Sequence, residues 1–160
     1  MAQNVVPHAL GALGAIPFVA LTPQCARALG LDAVSAPDAR ARAQIAYGGS
    51  ILSFLGGIHW GLALRGGAMN GAVGANAAAT RYAWSVTPSL LAAAACGMTS
   101  EVAACGTLIG GLGACAGIDT MYAMRGGYPK WMMPMRFALT AVAAASLGAT
   151  AFRNVGEERR

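Results

Sequence analysis

The 160-residue chain is 56% hydrophobic, and only 11% of it is charged. A soluble domain carries roughly a quarter Asp, Glu, Lys and Arg, so this composition excludes an ordinary water-facing surface. The formal net charge of +5 comes from basic residues scattered singly at the ends of apolar runs; without a basic stripe and interleaved aromatics, nucleic acid is excluded as a partner.

Five apolar segments follow one another, at 5–22, 44–64, 82–97, 102–121 and 135–152. A bilayer core about 30 Å thick takes roughly 20 helical residues at about 1.5 Å each, and the third segment falls short of that. Backbone groups in hydrocarbon must be satisfied within the chain, which leaves helices or a closed barrel, and no period-two alternation supports a barrel. The expected fold is therefore all-α: a polytopic membrane protein, one domain, with a bundle of five transmembrane helices.

The first segment has no Lys or Arg ahead of its apolar core, so it reads as a retained helix rather than a cleaved signal. Gln24 directly before Cys25 does not suit a lipoprotein cleavage site. Pro17 should kink this helix and free the carbonyl of Leu13. The connection "TPQCARALGLDAVSAPDARAR" is polar and Pro-punctuated, and Ser35 with Asp38 three residues on, Pro37 between them, resembles a capping-box start for the second helix.

The second segment ends in "ILSFLGGIHWGLALR", which carries His59 and Trp60 near its close, and Gly49, Ser53 and Gly57 give it a face of small residues. A loop, "RGGAMNGAVGANAAATR", leads to the third segment, which opens with Arg81 and Trp84. The fourth contains "GTLIGGLGACAG", with Gly106, Gly110, Gly113 and Gly117 on one face where another helix backbone can approach closely. Asp119 lies in its last turns. The turn "MRGGYPKWMMP" brings Trp131 and then Arg136 at the start of the fifth segment, which has its own small face at Ala141, Ala145 and Ala149.

With five crossings, alternate helix ends share one side of the membrane. That side collects His8, His59, Trp60, Arg81, Trp84, Asp119, Trp131 and Arg136, an interfacial cluster with the aromatic belt of a membrane boundary. Lys and Arg divide almost evenly between the two sides, so the positive-inside rule does not orient the chain. Asp119 is costly in lipid unless paired, protonated or wetted, and Arg81 and Arg136 are its candidate partners. An interfacial salt bridge is the plain reading; a small transporter using Asp119 is an alternative. His8 and His59 on adjacent helices would suit bis-histidine haem ligation, which gives a second alternative, a haem- or quinone-linked redox protein. Cys25, Cys96, Cys105 and Cys115 show no metal-ligand spacing and read as small apolar residues, with a disulfide among the first three left open. No metal is expected, and no catalytic constellation can be assembled.

Three blocks, "YGGSILSFLGGIHWGLAL", "RYAWSVTPSLLA" and "YPKWMMPMRFALTAV", resemble the DUF3429 family over residues 45–147. The resemblance implies a small multi-helix membrane protein of bacteria and mitochondria, and carries over no reaction, cofactor or catalytic residue. It shares His59, Trp60, Arg81, Trp84, Trp131, Pro134 and Arg136 with the cluster placed by topology. The function expected is a non-catalytic accessory or scaffold subunit of a larger membrane assembly, of the respiratory chain. Its setting would be the mitochondrial inner membrane or, alternatively, the bacterial cytoplasmic membrane. Its partners would be other membrane subunits and bound phospholipids.

Overall fold

The computed structural model describes residues 5–67 and 71–157, excepting the side chains of 65–67, 71–77, 130 and 154–157. Among the described residues all regular structure is helical: α1 (Val5–Ala20), α2 (Pro23–Ala28), α3 (Pro37–Gly67), α4 (Gly71–Gly97), α5 (Glu101–Met124) and α6 (Met133–Glu157), with single 3-10 turns at Leu31–Ala33 and Lys130–Met132.

Several boundaries differ from the hydrophobic segments. α3 begins at Pro37, at the cap signal, because proline fits the first helical turn, where no N–H partner is needed. The chain expected as a loop before the third segment is largely helix, since α4 starts at Gly71. Its run of alanines has the best intrinsic helix propensity of any residue. Residues 68–70 of that expected loop lie outside the described residues. The first connection contains α2, whose N-cap Thr22 accepts from the Cys25 N–H.

Two helices, Glu101–Met124 and Met133–Arg153, are long and apolar enough to cross a membrane, and Val5–Ala20 is a shorter apolar helix. At 16 residues α1 spans about 24 Å, less than a typical hydrocarbon core. Pro17 lies inside it, and the carbonyl beside the one expected to be freed, that of Gly14, accepts from the Tyr47 hydroxyl at 2.7 Å. At the end of α1 the Phe18 carbonyl accepts from the Gln44 amide at 2.7 Å. Both bonds fasten α1 to α3, and the Phe18 carbonyl is one that the helix terminus leaves without an intrahelical donor.

α3 and α4 share the most extensive interface, followed by α5 with α6. The core lies where α3, α4, α5 and α6 meet, around Leu52, Leu108, Leu112 and Leu147, with Phe18 entering from α1. Two glycines set the closest approaches between helices. An ideal Cβ on Gly56 would strike the carbonyl oxygen of Ser85, where α4 carries the buried Pro88. One on Gly111 would lie 2.7 Å from Leu52 Cδ2.

Gly56→Ala is accordingly expected to destabilise the bundle by about 1–3 kcal/mol, the usual cost of overpacking against groups that cannot yield. Gly57→Ala meets nothing within 4 Å and should stabilise α3 by up to about 1 kcal/mol. Thermal unfolding followed by circular dichroism in detergent reads both.

Candidate functional site

The polar cluster is built by three helix ends. α5 carries Asp119 five residues before its last residue, α3 carries His59 within its last turns, and α6 carries Arg136 in its first turn. His59 Nε2 lies 2.9 Å from Asp119 Oδ1, and Arg136 Nε donates to Asp119 Oδ2 at 2.6 Å. The three residues are 1%, 3% and 6% exposed. Both carboxylate oxygens are engaged, so the charge removed from water is matched by a guanidinium and a ring nitrogen, as a buried ion requires.

A second layer comes from the turn after α5. Gly126 adopts φ 75°, its N–H bonds the Ala123 carbonyl, and the Gly127 N–H bonds the Tyr122 carbonyl at 2.8 Å, the pair of bonds of a Schellman cap. This closure turns the chain back so that Tyr128 packs beside His59, ring centroids 6.2 Å apart, with Tyr122 on another side at 5.2 Å. The Arg81 guanidinium lies 4.2 Å over the Tyr122 ring and donates to the Gly127 carbonyl at 3.0 Å. Burial, reinforced by the negative charge of Asp119, pushes the Tyr128 hydroxyl up to about 12.

The structure brings most of the expected cluster together, with one of the two candidate cations at its centre. Arg136, not Arg81, binds Asp119, and His59 is its second partner. Trp60 packs edge-on against Tyr82 at 4.9 Å, and Trp131 lies 5.9 Å from His8. Trp60 and Trp131 are exposed, while Trp84 is half-buried against the core with its indole N–H enclosed. The two histidines have different surroundings: His59 is committed to Asp119 inside the bundle, whereas His8 lies on the exposed face of α1. Among the described residues no group of three His, Cys, Asp or Glu side chains could hold a metal ion, and all four cysteines are free.

The glycine faces are divided between the interior and the exterior of the bundle. Gly106, Gly110, Gly113 and Gly117 are exposed, as is Gly57, and a Cβ on any of them meets nothing within 4 Å, so among the described residues no helix lies against them. Gly49 is buried, with a Cβ there 2.9 Å from Cys96 Sγ, and Ser53 is half-buried. The pairs Gly56–Gly57 and Gly110–Gly111 each offer two faces, and packing within the chain selects the partner that the four-residue spacing passed over.

Sequence reasoning missed a polar network at the opposite end. Gln44 is fully buried, and its Oε1 accepts from the Thr150 hydroxyl at 2.7 Å while its amide holds α1, so α1, α3 and α6 meet there. Arg153 reaches Asp38 at 3.4 Å and Glu101 at 3.3 Å nearby. An amide at the start of an apolar run was the available signal.

The profile of the DUF3429 family, described as a protein of unknown function, matches residues 4–152. Transmembrane protein 69 of Xenopus tropicalis is 35% identical over 144 residues, covering 86% of this chain and 50% of that protein. The chain thus spans about half the length of the curated relative it matches. No solved structure matches it.

Asp119→Asn leaves the Arg136 charge buried without its counterion and should cost about 3–5 kcal/mol, whereas the double replacement Asp119→Leu with Arg136→Met should recover most of that. Unfolding in mixed micelles compares them. Because the folded pKa of Tyr128 is raised above the ordinary value near 10, the stabilisation is complete below about pH 10 and is lost as pH rises towards about 12. Phenolate absorbance should show one late-titrating tyrosine, absent from Tyr128→Phe, and that variant should lose less stability across the same window.

Proposed function

The chain belongs to the DUF3429 family, and from that premise we propose that it is a five-crossing membrane protein serving as a non-catalytic accessory or scaffold subunit of a larger assembly in a respiratory membrane. Five crossings are supported by the exterior. Each long helix exposes large apolar side chains: Leu10, Leu13 and Ile16 on α1, Phe54 and Leu64 on α3, Leu90 on α4, Met124 on α5, and Phe137 and Phe152 on α6. Soluble monomers rarely expose apolar surface on this scale, whereas lipid covers it without cost.

One observation carries the scaffold reading: the outward glycine face of α5, from Gly106 through Gly117. In lipid, helices associate by backbone proximity rather than by a hydrophobic force, so a glycine face unoccupied within the chain suits a helix of another subunit. The polar cluster supports the same reading, because Asp119 spends both oxygens holding helices together.

Solubilised in mild detergent at native abundance, the wild-type chain is expected to migrate with a larger complex in native electrophoresis. Gly110→Leu should release it as a monomer with its melting temperature unchanged. Recovery of the wild type only as a monomer, or a complex indifferent to Gly110→Leu and Gly113→Leu alike, overturns the assignment.

A further inference from the structure

A pocket of about 540 Å³, open to the exterior beside Leu10 and Phe54, lies between α1, α3, α5 and α6 and is walled almost wholly by apolar side chains, Ile58, Met135 and Leu139 among them. Its size and lining are those of a small-molecule pocket. Two polar side chains, Arg136 and Thr140, interrupt the apolar wall. They are four residues apart on α6, hence on one face of the helix. Arg136 is 6% exposed, and although its Nε is bound to Asp119, its Nη2 is buried without a partner. The Thr140 hydroxyl is likewise buried and unpartnered. Thr87, Thr107 and Thr120 all donate to the carbonyl four residues back, the usual recourse of a helical threonine. Thr140 makes no such bond.

Two buried, unpartnered donors on side chains that line a greasy chamber call for a ligand that supplies an acceptor beside them and hydrocarbon elsewhere, since buried polar groups are otherwise almost always satisfied. We propose that this cavity binds a lipid-like molecule with a single apolar chain, whose neutral carbonyl head accepts hydrogen bonds from Arg136 Nη2 and Thr140 Oγ1. The head is neutral because the Arg136 charge is already matched by Asp119 at 2.6 Å, so a carboxylate would bring an unmatched charge into a low-dielectric site. A prenyl-type quinone and an acyl ester share this chemistry. The site is independent of the scaffold reading, whose test concerns the opposite glycine face.

Detergent-purified protein, incubated with decyl-benzoquinone, monodecanoylglycerol or decanoate, is read by native mass spectrometry. One equivalent of the quinone or of the ester should be retained in preference to decanoate. Binding of one and not the other identifies the source of the carbonyl. Thr140→Val preserves shape and leaves the Arg136–Asp119 pair intact; it should weaken retention roughly fivefold to tenfold, the worth of one hydrogen bond. Ala15→Phe, which fills the chamber from α1, should abolish retention, with circular dichroism confirming that both variants remain folded. The proposal is overturned if neither carbonyl probe binds stoichiometrically, if decanoate binds as well as either, or if folded Thr140→Val retains the probes like the wild type.

Discussion

A carboxylate that cannot remain alone in an apolar interior organises one end of this molecule. Asp119 draws His59 from α3 and Arg136 from α6 onto α5, and the position of every neighbouring aromatic follows from that junction. Tyr122 and Tyr128 flank the imidazole, and Arg81 reaches the same turn from α4. Four long helices are thereby registered against one another by directional contacts, where apolar packing alone would tolerate sliding. A second polar junction at Gln44 does the same for α1, α3 and α6 at the other end.

Much of this was legible in the residues. A low charge content, apolar runs and alternating helix polarity were enough to place His59, Asp119 and Arg136 together, because topology decides which ends share a side. Which cation would meet Asp119 was not legible. Arg81 and Arg136 both begin helices on that side, and only the Schellman turn at Gly126 decides that α6 presents its arginine inward while Arg81 is taken by a backbone carbonyl and the Tyr122 ring. The glycine faces were ambiguous for a different reason: consecutive glycines occupy two faces at once, and spacing rules choose between them blindly. Helix ends failed where propensity outran hydrophobicity, as in the alanine-rich start of α4.

The exterior and the interior divide the labour. Large apolar side chains cover the outside of each long helix as well as forming the core around Leu52, Leu108, Leu112 and Leu147, where small residues and polar groups such as Gln44 and Asp119 are also buried. In water so apolar an exterior would be unfavourable. In lipid two of the features the arrangement leaves without partners among the described residues are the glycine face of α5 and the pair of donors in the chamber bordered by α1 and α6. One lacks bulk and the other lacks an acceptor, so they suit different occupants.

The short reach between Asp119 and Arg136, 17 residues with a tight closure between them, bears on how the chain is made. During synthesis α5 emerges with an acidic group that α3 can meet only through an imidazole; its cation arrives with the next helix. In a bilayer the two are therefore best accommodated as a hairpin, since α5 without α6 leaves an acid in oil without its cation.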